Sequence, residues 1–139
     1  MVQDRLLNIL LVEDDEVDVM NVKRAFAKNH IANPLFVAGN GVEGLEMLRN
    51  GSVPRDRRIV LLDLNMPRMN GIEFLRELRA DPDLAGTPVV VLTTSNDERD
   101  KVQAYNLNVA GYLLKPVTFI NFCDVMAALN KYWALVEMP

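Results

Sequence analysis

Cysteine, histidine and tryptophan each occur once in this chain of 139 residues, and no apolar run is longer than five. A lone cysteine excludes an internal disulfide and any cysteine-based zinc cluster, which fits a reducing compartment. Apolar runs this short fall far below the ~20 residues of a spanning helix, and no signal-peptide pattern opens the chain. The expectation is a soluble, cytoplasmic protein without a membrane partner. Basic clusters are also missing: 15 Lys and Arg face 19 Asp and Glu, for a net charge of −4. Nucleic-acid binding rests on clustered Lys and Arg, so the balance argues against that partner. No Gly-x-Gly-x-x-Gly or Gly-x-x-x-x-Gly-Lys sequence follows an apolar run, which disfavours a bound nucleotide or flavin. No low-complexity stretch or domain linker interrupts the chain. With half of its residues apolar, it suits a single domain over 1–139.

What is present alternates. Apolar runs begin at Ile9, Leu35, Ile59, Val89 and Tyr112, about two dozen residues apart, the length of a βα unit. Between them, Val19, Val22 and Phe26, then Val42, Leu45 and Leu48, then Ile72, Leu75 and Leu78 keep helical spacing. Asn40-Gly41-Val42-Glu43 recurs as Asn70-Gly71-Ile72-Glu73, predicting two helices that each open on an Asn cap completed by Glu. Asn50-Gly51 with Pro54, and Asp81-Pro82, end helices, and Pro88 introduces a strand. A final helix is predicted from Phe119 to about Val136. Alternating units of this kind predict an α/β fold, a doubly wound parallel sheet with right-handed crossovers. Such sheets bind ligands beyond the carboxyl ends of their strands.

Those ends carry chemistry. Ile9 to Val12 runs into Glu13, Asp14 and Asp15, Ile59 to Leu62 into Asp63, Val89 to Leu92 into Thr93 and Thr94, and Tyr112 to Leu114 into Lys115. Carboxylates gathered from two strand ends suit magnesium, which prefers one or two carboxylates with carbonyl, water and phosphate oxygens. Asp14 and Asp63 are candidate direct ligands, Glu13 a holder of metal-bound water, and the Asn65 backbone carbonyl a further ligand. Asp63 is the candidate nucleophile toward phosphorus. The metal, Lys115 and Thr93 are then placed to neutralise the phosphoryl oxygens. A cis peptide at Lys115-Pro116 is expected to fix the direction of the lysine.

Ile9-Leu10-Leu11-Val12-Glu13-Asp14, Leu61-Leu62-Asp63 with Met66-Pro67 and Asn70-Gly71, Val89 to Thr93, and Gly111-Tyr112-Leu113-Leu114-Lys115-Pro116 together resemble the response regulator receiver domain. The likeness runs from about residue 7 to 134. It implies the flavodoxin-like receiver fold, with a five-stranded sheet in the order 2-1-3-4-5 and five helices. It also implies Mg2+-dependent phosphoryl transfer to Asp63 from a phosphohistidine on a sensor histidine kinase. In that pattern Glu13 and Asp14 form the acidic pocket, Thr93 is the switch hydroxyl, Lys115 the phosphate partner and Tyr112 the rotating aromatic. Leu92-Thr93-Thr94-Ser95, the long loop around Pro54 and the C-terminal sequence from Lys131 resemble more narrowly the stand-alone regulators of cyanobacterial and bacterial phytochromes. That likeness implies a phytochrome as the kinase, no output domain, and catalysis limited to the protein's own phosphorylation and dephosphorylation.

Several positions carry two readings. Asp15 is either a third carboxylate of the site or the cap of the first helix. Thr94 stands where a smaller residue is usual in the family, and its β-branch narrows access to Asp63. By the same resemblance, Asn65 and Ser95 occupy the positions that tune phosphoryl lifetime, and neither is a general base. His30 lies near the end of the first helix, so the phosphohistidine must come from another protein, and Cys123 is expected to pack in the last helix. Phe119, Phe122, Met126, Tyr132 and Trp133 belong to a helix with more apolar surface than one buried stripe needs, which predicts a homodimer. A phosphatase of the haloacid dehalogenase type, the main rival, requires an aspartate two residues after its nucleophile, where this chain has Asn65.

Overall fold

The computed structural model describes residues 6–28, 30–66 and 69–115, together with 124, 127, 128 and 131. Five strands and four helices alternate: β1 (Asn8–Val12), α1 (Glu16–Lys28), β2 (Leu35–Ala38), α2 (Gly41–Arg49), β3 (Arg58–Leu62), α3 (Gly71–Ala80), β4 (Val89–Thr93), α4 (Glu98–Asn106) and β5 (Gly111–Leu114). All strand pairings are parallel and the sheet order is β2-β1-β3-β4-β5. The doubly wound sheet expected from the alternation is therefore formed. The expected fifth helix falls almost wholly outside the described residues, although 124, 127, 128 and 131 are helical.

Side chains alternate along each strand, and the sheet sorts them into two cores. Leu10, Val12, Val60, Leu62, Val89 and Val91 pack with Leu45 and Leu48 of α2, Phe74, Leu75 and Leu78 of α3, and Ala104 of α4. Ile9, Leu11, Ile59, Leu61, Val90 and Leu92 face the other way, onto Val22, Ala25 and Phe26 of α1. Burial on both faces is why these strands read as continuous apolar runs rather than alternating ones. Each fully buried leucine or phenylalanine contributes about 1.5–3 kcal/mol.

The caps follow the sequence with one difference. At α3 the box is complete: Asn70 Oδ1 accepts from Glu73 N at 2.9 Å, and Glu73 Oε1 accepts from Asn70 N at 3.1 Å. At α2 Asn40 accepts from Glu43 N, but the Glu43 carboxylate takes the Gly39 amide instead of the Asn40 amide. The second box is thus only half formed. Gly51, with φ +81°, turns the chain after α2 in a conformation open to glycine. At the far end of the sheet, Arg79 donates to the carbonyls of Leu107, Ala85, Thr87 and Asn108, joining α3 to the turns before β4 and β5.

Candidate functional site

Backbone pairing continues one residue beyond the strands and sets the site in rank. Glu13 N donates to Ala38 O, Asp63 N to Val12 O and Lys115 N to Thr93 O. Four polar groups that lie far apart in sequence therefore meet at one edge. Gly71 is part of this wall: a Cβ there would stand 2.6 Å from the Leu64 Cα and 2.7 Å from the Asp63 carbonyl oxygen. Only glycine lets α3 start so close to the nucleophile candidate.

Asp63 is buried, 5% exposed, and its two oxygens differ. Oδ1 accepts from Thr93 Oγ1 at 2.8 Å and from the Asn65 backbone amide at 3.2 Å. Oδ2 lies 3.9 Å from the Lys115 ammonium. Glu13 is buried as well: Oε1 accepts from Lys115 Nζ at 2.5 Å and Oε2 from Asp15 N at 3.1 Å. One oxygen each of Glu13, Asp14 and Asp63 lies within 4.8 Å of the others. Burial pushes the Glu13 carboxyl up to about 7, with the nearby Asp63 charge adding to the rise, while Lys115 and the Asp15 amide pull it back. Three carboxylate oxygens this close, two of them on buried residues, fit a hard divalent cation.

Two expectations are refined. Asp15 is the cap of α1, with Oδ1 accepting from Val17 N at 2.8 Å and Asp18 N at 3.4 Å, and it is not among the three clustered carboxylates. Lys115 is divided: besides Glu13 it donates to Asp18 Oδ2 at 2.7 Å. Burial alone would lower its affinity for a proton, but Asp18 and Glu13 outweigh that and hold the ammonium above its ordinary range. Asp18 carries no strand-end signal in the sequence. What places it is its position in the first turn of α1, which brings its carboxylate to Lys115.

The mouth of the site and the surroundings of Tyr112 are built from the turn after β4. Asn65 Nδ2 donates to Thr94 Oγ1 at 3.3 Å, joining the two exposed residues on either side of Asp63. Ser95 Oγ donates to Asp100 Oδ2 at 2.6 Å, and the Ser95 carbonyl accepts from the Tyr112 hydroxyl at 2.9 Å. The Tyr112 ring stacks against Tyr105 with centroids 6.5 Å apart, and the Lys101 ammonium lies 5.8 Å from its centre. Burial raises the Tyr112 hydroxyl pKa above its ordinary value. His30 is exposed, two residues past the opposite end of α1, with φ +54°. Pro116, Phe119, Phe122, Cys123, Met126, Tyr132 and Trp133 lie outside the described residues, and with them the cis peptide and dimer expectations.

The response regulator receiver domain model matches residues 9–127. Response regulator Rcp1 of Synechocystis is 34% identical over 128 residues, covering 90% of this chain and 87% of its own. Its Mn(2+)-bound structure superposes with a TM-score of 0.75 at 34% identity, covering 96% and 99% of the two chains. The phosphorylated cyanobacterial phytochrome response regulator RcpA gives 0.79 at 30% identity, over 96% and 99%. The bacteriophytochrome response regulator RtBRR gives 0.77 at 36% identity, over 96% of this chain and 84% of that one.

Proposed function

The chain belongs to the response regulator receiver domain family, and on that premise we propose that Asp63 accepts a phosphoryl group from a phosphohistidine on a sensor histidine kinase. The observation that carries this reading is the company Asp63 keeps: a buried carboxylate bonded by a threonine hydroxyl at 2.8 Å, with an ammonium 3.9 Å away and two further carboxylates beside it. The free oxygen, Oδ2, forms the new O–P bond as the N–P bond of the phosphoimidazole breaks, and the leaving nitrogen takes up a proton. Glu13, Asp14, Asp63 and the Asn65 carbonyl would hold Mg2+, which neutralises charge on the phosphoryl oxygens when bound. Lys115 and Thr93 serve the same oxygens. Positioning and charge neutralisation are most of what such a transfer requires.

Tyr112 is half-buried against the core, with its hydroxyl bonded to the Ser95 carbonyl. A phosphoryl group on Asp63 takes over the Thr93 hydroxyl that Asp63 now holds, and with Tyr112 bonded to the same turn the population shifts between arrangements of the turn after β4. Catalysis is confined to the protein's own phosphorylation and dephosphorylation. The likeness to Rcp1, RcpA and RtBRR supports a phytochrome as the kinase. The apolar excess around Phe119, Phe122, Met126, Tyr132 and Trp133 supports a homodimer.

The deciding experiment is phosphotransfer from histidine kinases, phytochromes among them, to the wild type and Asp63→Asn, in Mg2+ and in chelator. Label is expected only on the wild type and only with metal. Equal labelling of the two proteins overturns the assignment.

A further inference from the structure

The ammonium of Lys115 is shared in a way the phosphoryl chemistry does not need. It lies 2.5 Å from Glu13 and 2.7 Å from Asp18, and 3.9 Å from Asp63, the residue it is there to assist. Glu13 has a second task, since it is one of the three clustered carboxylates that suit a cation. Asp18 has none: no other side chain or amide is bonded to its carboxylate among the described residues. It projects from the first turn of α1 with its side chain 32% exposed, while the lysine side chain it holds is 11% exposed.

Resting on the phosphoacceptor reading above, we propose that Asp18 is a positioning residue that holds Lys115 back from Asp63, so that phosphorylation must draw the ammonium away from α1. When a cation engages Glu13, Asp18 is the remaining carboxylate that competes with the phosphoryl group for Lys115. The competition sets how readily Asp63 is phosphorylated. It also ties the N-terminus of α1 to the state of the site, because the bond to Asp18 weakens as the bond to phosphate forms. Removing a hydrogen bond between charged groups at a partly solvated position is expected to favour the phosphorylated state by about three- to tenfold.

The test labels wild type, Asp18→Asn, Asp18→Glu, Glu16→Gln and Asp63→Asn with acetyl phosphate in Mg2+, below saturation, and follows decay after the donor is removed. Asp18→Asn is expected to label about three- to tenfold more, with Asp18→Glu returned toward the wild type. Glu16→Gln makes the same charge change in the same turn on an exposed side chain, and it is expected to stay within twofold of the wild type. The 15Nζ resonance of Lys115 is expected to move in Asp18→Asn and not in Glu16→Gln, a change that a purely structural role would not produce. Labelling of Asp18→Asn that is unchanged, or lower, overturns the proposal, as does an equal rise in Glu16→Gln. Failure of the wild type to label, or labelling of Asp63→Asn, instead overturns the phosphoacceptor reading and the proposal with it.

Discussion

Replacing Thr93 by valine separates a site hydroxyl from a core methyl, because the two side chains have nearly the same shape. Thr93 is fully buried at the end of β4. Were it only a packing residue, the substitution would be neutral or stabilising, since it removes a hydroxyl from an apolar setting. Its oxygen, however, donates to Asp63 Oδ1 at 2.8 Å and accepts from the Ser95 amide at 3.3 Å. A hydrogen bond to an ionised group contributes about 1.5–3 kcal/mol. The longer Ser95 bond is partly open to water, so it adds little. The expected loss is about 2 kcal/mol, which for a chain of this size lowers the melting midpoint by about 6 °C at roughly 3 °C per kcal/mol. Phosphotransfer is expected to slow as well, because the donor that would follow the phosphoryl oxygens is gone. Thr93→Ser, which keeps the oxygen, should retain transfer while losing one buried methyl. Thermal melts and labelling rates on the three proteins decide the matter. An unchanged or raised midpoint in Thr93→Val refutes the reasoning, because it would mean that the hydroxyl contributes nothing to holding Asp63.

Once labelled, the purified protein is expected to keep its phosphoryl group for minutes or longer, since Asn65 is bonded to Thr94 and Ser95 to Asp100, and neither is a general base; loss within seconds in Mg2+ contradicts this. Light scattering is expected to give the mass of a homodimer, measured with and without a phosphoryl mimic, and a monomer in both conditions removes that part of the reading. Asn70→Ala breaks the complete capping box of α3 and is expected to destabilise by about 1 kcal/mol in denaturant titrations, with the slope unchanged.

The sheet and most of the site were legible because their signals are local. A strand buried on both faces is a short apolar run, and in a parallel sheet the residue that ends the run is the residue at the ligand edge, which is how Glu13, Asp63, Thr93 and Lys115 could be named together. The Asn caps were legible for the same reason. What escaped depended on partners distant in sequence. Asp18 and Lys115 are 97 residues apart and meet only because α1 begins over the site. The α4 helix had no pattern to read, since Ala104 is its one buried residue. Arg79 gave no sign that four loop carbonyls would converge on it. Even the repeated Asn-Gly-x-Glu motif resolved into two different caps, because Glu43 had a competing amide at Gly39.

A genetic screen for lost signalling would draw the boundary of this site differently from a chemist. Gly71 has no side chain and transfers nothing, yet its hydrogen faces the Asp63 carbonyl where any larger group would stand 2.7 Å away. Substitutions there are therefore expected to score beside Asp63 itself. The heritable footprint of the site includes the bare stretch of backbone that lets helix and carboxylate share one wall.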